Sequence, residues 1–439
     1  MSAELRSLAA RTLFPSFAGV EVPDWVRRFL AGGGGGIVLF AYNVPTRDDL
    51  AALCAALRAE RDEILLAIDE EGGDVTRLEW QTGSSYPGAA ALGAVDDESA
   101  TEAIAASIAS ELAGVGVNWN LAPVADVNAP ANPVIGSRAY GSDPGLVARH
   151  TAAFVRGTQS RGVAACAKHF PGHGSTEQDS HLELPALLGD VDDGLPPFEA
   201  AIGAGVRSIM TAHIRVDTLP ATVDPAIVDG LLRKQLGFDG VVLADALEMK
   251  GVSAVYGVED AGVRALQAGC DAVIVGHDLG EDDVGRLVDA LASRVEEGRL
   301  REAAARVETL AAWAHPSSQE ADRSVAADAA RRAVRVEGDV SVGSDARIVE
   351  LRPVANIAAG EFEHALGAVV REGDPVPPAD VYVVRDAHRH EWMRAAADIE
   401  GAIVVETGLP VWRPTRARGY VAAFGGSRAS LDAVAEVLA

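Results

Sequence analysis

The stretch KHFPGHGSTEQDSHLELP, beginning at Lys168, holds Lys168, three histidines (His169, His173 and His181), Asp179 and Ser180 around Gly172, Gly174 and two prolines. So many proton carriers on one short piece of chain point to acid-base chemistry. Glycines on both sides of His173 let the segment fold tightly, and Asp179 and His181, two positions apart, touch if the chain between them turns. A carboxylate hydrogen-bonded to an imidazole fixes its tautomer and raises its affinity for a proton, which poises histidine as a general acid/base near neutral pH. A metal site is the rival reading, since His169, His173, His181 and Asp179 are all legitimate ligands. Their spacings do not match ligands one helical turn apart and no HExxH occurs, so no metal is expected. For His173, a loop hydrogen bond accounts for the residue as well as a catalytic role does.

Further candidates stand where apolar runs give way to polar residues. ILLAIDEEGGDVTR brings Asp69 to the end of such a run, and Gly72-Gly73 permit a tight turn toward Arg77. VNWNLAPVADV ends near Asp126 and is followed by NPVIGSRAYGSDP with Arg138; GVAACAKHF runs into Lys168 and His169, SIMTAHI into His213, and GVVLADAL into Asp245. Each has a structural alternative. Asp69 caps a turn or pairs with Arg77; Arg138 is a solvated loop arginine; Lys168 and His169 begin a loop as a solvent-facing basic pair; His213 is a satisfied packing residue. Asp245 caps a helix over LEMKGV, although a lone carboxylate after GVVLA is costly to bury unless paired or used.

The elements that position these residues alternate short apolar runs with Ala-rich segments of helical period, as strand-helix units around a parallel sheet do. Seven strands are clear: GIVLF from Gly36, then the runs from Ile64, Val117, Gly162, Ser208 and Gly240, and DAVIVGH from Asp271. Polar residues at their carboxyl ends suit a TIM-type (β/α)8 barrel, whose active site lies at that end, with an eighth strand still to be placed. An open doubly wound sheet is the runner-up, weakened because GGGGG from Gly32 precedes a strand, whereas a phosphate-binding turn follows one. The polar HPSSQEADRS, after the helical EGRLREAAARVETLAAWA, reads as a linker. The expected division is a catalytic barrel over 1–320 and a small α/β sandwich over 321–439, with a helix around AADAARRAV and strands RIVEL, VYVVRD, AIVVE and YVAAFG.

At 439 residues the chain has room for a large core, and its net charge of -26 disfavours nucleic acid as a general partner. No apolar stretch is long enough for a membrane span or of signal-peptide type, so a soluble cytoplasmic protein with no membrane partner is expected. Cys54, Cys166 and Cys270 are not spaced as zinc or redox pairs.

KHFPGHGSTEQDSH, together with IDEEGGDVTR, LAPVADV, SRAYGSDP and VVLADALEMKGV, resembles the family three glycoside hydrolases, in particular their β-N-acetylglucosaminidase (β-N-acetylhexosaminidase) branch, which includes cell-wall recycling enzymes. The motifs occur in order from about Gly34 to Ala314, and the carboxy-terminal sandwich resembles the second domain of some members. The resemblance implies that Asp245 is the nucleophile of a retaining reaction, His181 its acid/base and Asp179 the dyad partner of His181. Asp69, Arg77, Arg138, Lys168 and His169 would hold the N-acetylglucosamine, with His213 near the pocket. An ionised carboxylate beneath the anomeric carbon and a proton donor at the leaving oxygen are what an oxocarbenium-like transition state requires. The activity so implied is exo-acting removal of N-acetylglucosamine from muropeptides or chitin fragments, with no cofactor. Three alternatives are a phosphorylase using inorganic phosphate as acceptor, a β-glucosidase of the same fold and a non-catalytic sugar-binding protein.

Overall fold

The computed structural model describes residues 2–439 apart from 130, 131, 133, 177–182, 318 and 355–363. Eight parallel strands follow one another along the chain: β1 (Leu13–Pro15), β2 (Gly36–Leu39), β3 (Leu65–Ile68), β4 (Trp119–Asn120), β5 (Ala164–Phe170), β6 (Ser208–Thr211), β7 (Val241–Ala244) and β8 (Ala272–Val275). From β2 to β8 each pairs with the next, and β8 pairs with β1, which lies beside β2. Spatial order thus repeats chain order, without the reversal of a doubly wound sheet, and the result is a nearly closed TIM-like barrel. The strand the sequence left unplaced is β1.

Alternation of side chains across each strand explains why these runs are apolar throughout. Ile37, Leu39, Leu66 and Ile68 face the surrounding helices, while Val38, Leu65 and Ala67 join Trp119, Met210, Leu243 and Ile274 inside the barrel. Both faces are buried, as parallel strands require, and each fully buried Leu, Ile or Val side chain contributes about 1.5–3 kcal/mol. Helix Glu297–Trp313 adds Val307, Leu310 and Ala311 to the inner cluster. Among the described residues no helix is long and apolar enough to cross a membrane.

One expectation is corrected here. Lys168 and His169 do not begin a loop: both lie within β5, 2% and 8% exposed, so they are not a solvent-facing pair. Burial of a lysine at this depth demands counter-charges, and these are supplied by the neighbouring strand ends.

A second sheet has the order β9 (Arg335–Gly338), β14 (Gly419–Ala422), β13 (Ile403–Glu406), β12 (Val381–Val384), β10 (Ile348–Arg352), β11 (Ala368–Arg371); only the β9–β14 pair is antiparallel. Helix Arg323–Ala333, capped by the Asp322 side chain at Ser324 N, packs Ala326 and Ala329 into the barrel's outer core and also lies against the carboxy-terminal helix Arg428–Leu438. Charged pairs cross the same seam: Arg332 with Asp97 at 2.9 Å, Arg323 with Glu111 at 2.8 Å and Arg428 with Glu79 at 3.0 Å.

Candidate active site

Beyond β3 the chain reverses at Gly72 (φ +77°) and Gly73 (φ +63°), and a Cβ on Gly73 would lie 2.4 Å from Gly88 Cα. With Glu71 N donating to Val75 O at 3.1 Å, the turn brings two carboxylates to Lys168. Its ammonium donates to Asp69 Oδ1 at 2.6 Å and lies 2.7 Å from Glu71 Oε1. Arg138 grips Glu71 with two bonds, Nε to Oε2 at 2.9 Å and Nη2 to Oε1 at 2.7 Å. Burial pushes the Glu71 carboxyl up, but Arg138 and Lys168 outweigh it and hold the group below the usual carboxylate range. Burial likewise works against the Lys168 ammonium, and Asp69 and Glu71 more than restore it. Arg77 is a looser neighbour, 3.8 Å from Asp69, and its buried Nε has no hydrogen-bond partner among the described residues.

A second knot centres on the fully buried Asp126. It accepts His169 Nδ1 at 2.8 Å, His169 N at 3.2 Å and His173 N at 2.6 Å. Donation from Nδ1 leaves Nε2 of a neutral His169 ring as its acceptor nitrogen. His173 Nδ1 is 2.9 Å from Thr176 Oγ1, and burial lowers this imidazole to about 4 even though Asp126 opposes the shift. Gly174 is needed for close approach, because a Cβ there would lie 1.9 Å from Val127 O.

These groups border one cavity of about 440 Å³, whose wall includes Asp69, Arg77, Arg138, Lys168, His169 and Asp245. That size falls within the roughly 300–1,000 Å³ of small-ligand sites. Asp245 follows β7 and accepts Ala246 N at 2.8 Å. The helix beyond it, Lys250–Tyr256, has Met249 at its N-cap position, so Asp245 is not that helix's cap. Glu248 accepts Gly276 N at 3.0 Å, and burial raises its carboxyl. Opposite the ionic cluster in chemical character, Tyr42 stacks on Phe40 with ring centroids 5.5 Å apart and meets His277 at a tilt of 40° and 4.7 Å, and all three line the cavity.

Of the strand-end residues singled out in the sequence, Asp69, Lys168, His169 and Asp245 line the cavity, whereas Asp126 and His213 do not. His213 is buried behind the wall, its Nδ1 2.9 Å from Thr222 Oγ1 and its Nε2 3.0 Å from Ala246 O; it does not line the cavity, and it braces the turn beside Asp245. Asp179, Ser180 and His181 lie outside the described residues. Sequence reasoning passed over Glu71, the carboxylate that binds both Arg138 and Lys168, although its place two residues after Asp69 and directly before the glycine turn was a usable signal. It also passed over Glu248, although this residue lies within VVLADALEMKGV, and over His277, which ends DAVIVGH, and Tyr42. Among the described residues no group of three or more His, Cys, Asp or Glu side chains is arranged to hold a metal ion.

The sequence profile of the glycosyl hydrolase family 3 N-terminal domain matches residues 22–310. The chain belongs to glycosyl hydrolase family 3. This family 3 hydrolase is 39% identical over 269 residues to a β-hexosaminidase of Bordetella avium, a match covering 58% of this chain and 77% of that one. In three dimensions it resembles a family 3 β-N-acetylglucosaminidase from Paenibacillus, with a TM-score of 0.86, 30% identity and coverage of 99% of this chain and 96% of that one. The NagZ protein of Neisseria gonorrhoeae, solved with N-trifluoroacetyl-D-glucosamine, is similar over 68% of this chain and 98% of its own, with a TM-score of 0.58 and 29% identity. The protein is a glycoside hydrolase acting on a carbohydrate.

Proposed function

We propose that this family 3 hydrolase is a retaining exo-β-N-acetylhexosaminidase that removes terminal N-acetylglucosamine from muropeptides or short chitin fragments, with Asp245 as nucleophile. The observation carrying this reading is the presence of the Asp245 carboxylate in the same cavity wall as the Asp69–Lys168–Glu71–Arg138 cluster. Paired carboxylates and cations match adjacent sugar hydroxyls, each of which both donates and accepts. Among the described imidazoles, His173 at about 4 is deprotonated at neutral pH and a poor proton donor, while His169 is held by Asp126. The resemblance of KHFPGHGSTEQDSH to the family three enzymes is what supports His181, with Asp179, as the acid/base. The reading includes action in the cytoplasm on imported fragments and two domains, a barrel over 1–320 and a sandwich over 321–439.

Replacing Asp245 with Ala tests it on an aryl N-acetylglucosaminide. Turnover is expected to fall by about 10³-fold or more while sugar binding is largely kept; near-normal turnover removes Asp245 from the mechanism. The same assay with and without inorganic phosphate separates hydrolysis from phosphorolysis, because only the latter yields N-acetylglucosamine 1-phosphate.

A further inference from the structure

Asp74 lies in the turn after β3, between Gly73 and Val75, 4% exposed and outside the cavity wall. It accepts Ser137 Oγ at 2.6 Å, directly beside Arg138. Its remaining partners come from the second sheet: Gly426 N at 2.9 Å, beyond β14, and Arg385, beyond β12, whose Nη1 and Nη2 lie 3.2 and 3.0 Å from the two carboxylate oxygens. A second tie runs from Arg389 Nη1 to Asn132 O at 2.8 Å. The Asn132 side chain donates to His173 O at 2.8 Å and Thr176 Oγ1 at 3.1 Å, and accepts Val134 N and Ile135 N at 2.9 and 2.8 Å. Two arginines beyond β12 therefore reach the barrel mouth: Arg385 meets the Asp74 turn, which is joined to Ser137 beside Arg138, and Arg389 meets Asn132, whose side chain holds the turn with His173.

We infer that the second sheet is the scaffold of the active site, with Arg385 and Arg389 as positioning residues that hold the Asp74–Ser137 and Asn132–His173 turns in place around the cavity. The physical need is plain. Turns anchored only at their strand ends sample many conformations, and a buried Asp74 carboxylate requires a cation. Misplacing a binding or catalytic group by about 1 Å costs up to 100-fold in rate. The inference rests on the cavity being the hydrolytic centre.

The test combines steady-state kinetics on an aryl N-acetylglucosaminide with amide hydrogen exchange of the full chain. Arg389→Ala, an exposed substitution, is expected to speed exchange at residues 172–176 and lower kcat about ten-fold with KM little changed; Arg389→Lys restores most of both. Arg385→Ala is expected to speed exchange at residues 72–75 and 136–138 and to raise KM, because those turns carry the sugar-binding cluster. If that variant does not fold, the double change Asp74→Asn, Arg385→Ala leaves no unpaired buried charge and must show the same KM rise. Arg331→Ala, which breaks an exposed pair with Glu436 inside the second domain, serves as the control with wild-type values. Unchanged exchange at these turns, wild-type kinetics despite faster exchange, or equal effects from the control each overturn the inference. Failure of the hydrolytic reading is visible separately, as turnover surviving Asp245→Ala.

Discussion

Glu71 is the residue on which the ionic cluster turns, since it pairs with both the part-buried Arg138 and the buried Lys168, the latter shared with Asp69. Breaking a buried ion pair from one side leaves uncompensated charge, at a cost of about 3–5 kcal/mol. Glu71→Gln is expected to lose that much unfolding free energy in urea titrations and to weaken sugar binding; a loss under 1 kcal/mol would mean that solvent reaches the cluster. One pH-dependent contribution at this scale comes from His173. Its ring titrates at about 4 instead of the ordinary 6.5, so the unfolded chain binds the proton first as pH falls. This group's contribution is complete above about 6.5 and is lost on descending to about 4, a total of about 3 kcal/mol. His173→Gln is expected to flatten the fall in stability between those pH values, and an identical acid limb in the variant would refute it. Asp69 and Asp245 were legible because each ends an apolar run. Glu71 was passed over although it directly precedes the Gly72-Gly73 turn; its bonds to both Arg138 and Lys168 exist only in the folded chain.

At the scale of elements, both legible and illegible strands have physical explanations. Runs such as VVLA and AVIV are buried on both faces and stand out. β1 is three residues long and ends in proline, and its place is set by pairing with β8, from the far end of the barrel sequence. In the second sheet β10, β12, β13 and β14 were readable, whereas β9 and β11, mostly exposed edge strands, were missed. Lys168 and His169 misled for the opposite reason: polar residues are expected to end a strand, yet here Asp69, Glu71 and Asp126 let β5 continue through them. The turn beyond β5 depends on Gly174, where an added Cβ would lie 1.9 Å from the Val127 carbonyl. Gly174→Ala is expected to cost roughly 1–3 kcal/mol through overpacking and about 10²-fold in kcat through displacement of the turn. Loss of stability with full kcat would separate this turn from catalysis.

Across the whole molecule, helix Arg323–Ala333 is shared between the barrel's outer core and the carboxy-terminal helix, and ion pairs join the two sheets' surroundings along the same seam. Calorimetry is expected to give one unfolding transition, with the fluorescence of Trp119 in the barrel and of Trp392 and Trp412 beyond it reporting the same midpoint. Two resolved transitions would show that the seam does not couple the parts. By itself, the order of apolar runs determined repeated strand-helix units around a parallel sheet, because a strand buried on both faces needs unbroken hydrophobicity, and the polar residues ending those runs marked where chemistry belongs; the strand pairing decided for the barrel over an open sheet. Only the tertiary structure decided which carboxylate meets which cation, that His213 braces a turn behind the cavity wall, and that Arg385 and Arg389 reach the barrel mouth. Most of those pairings join residues tens to hundreds of positions apart, so no local pattern encodes them; they exist only once strand pairing and burial have removed the alternatives.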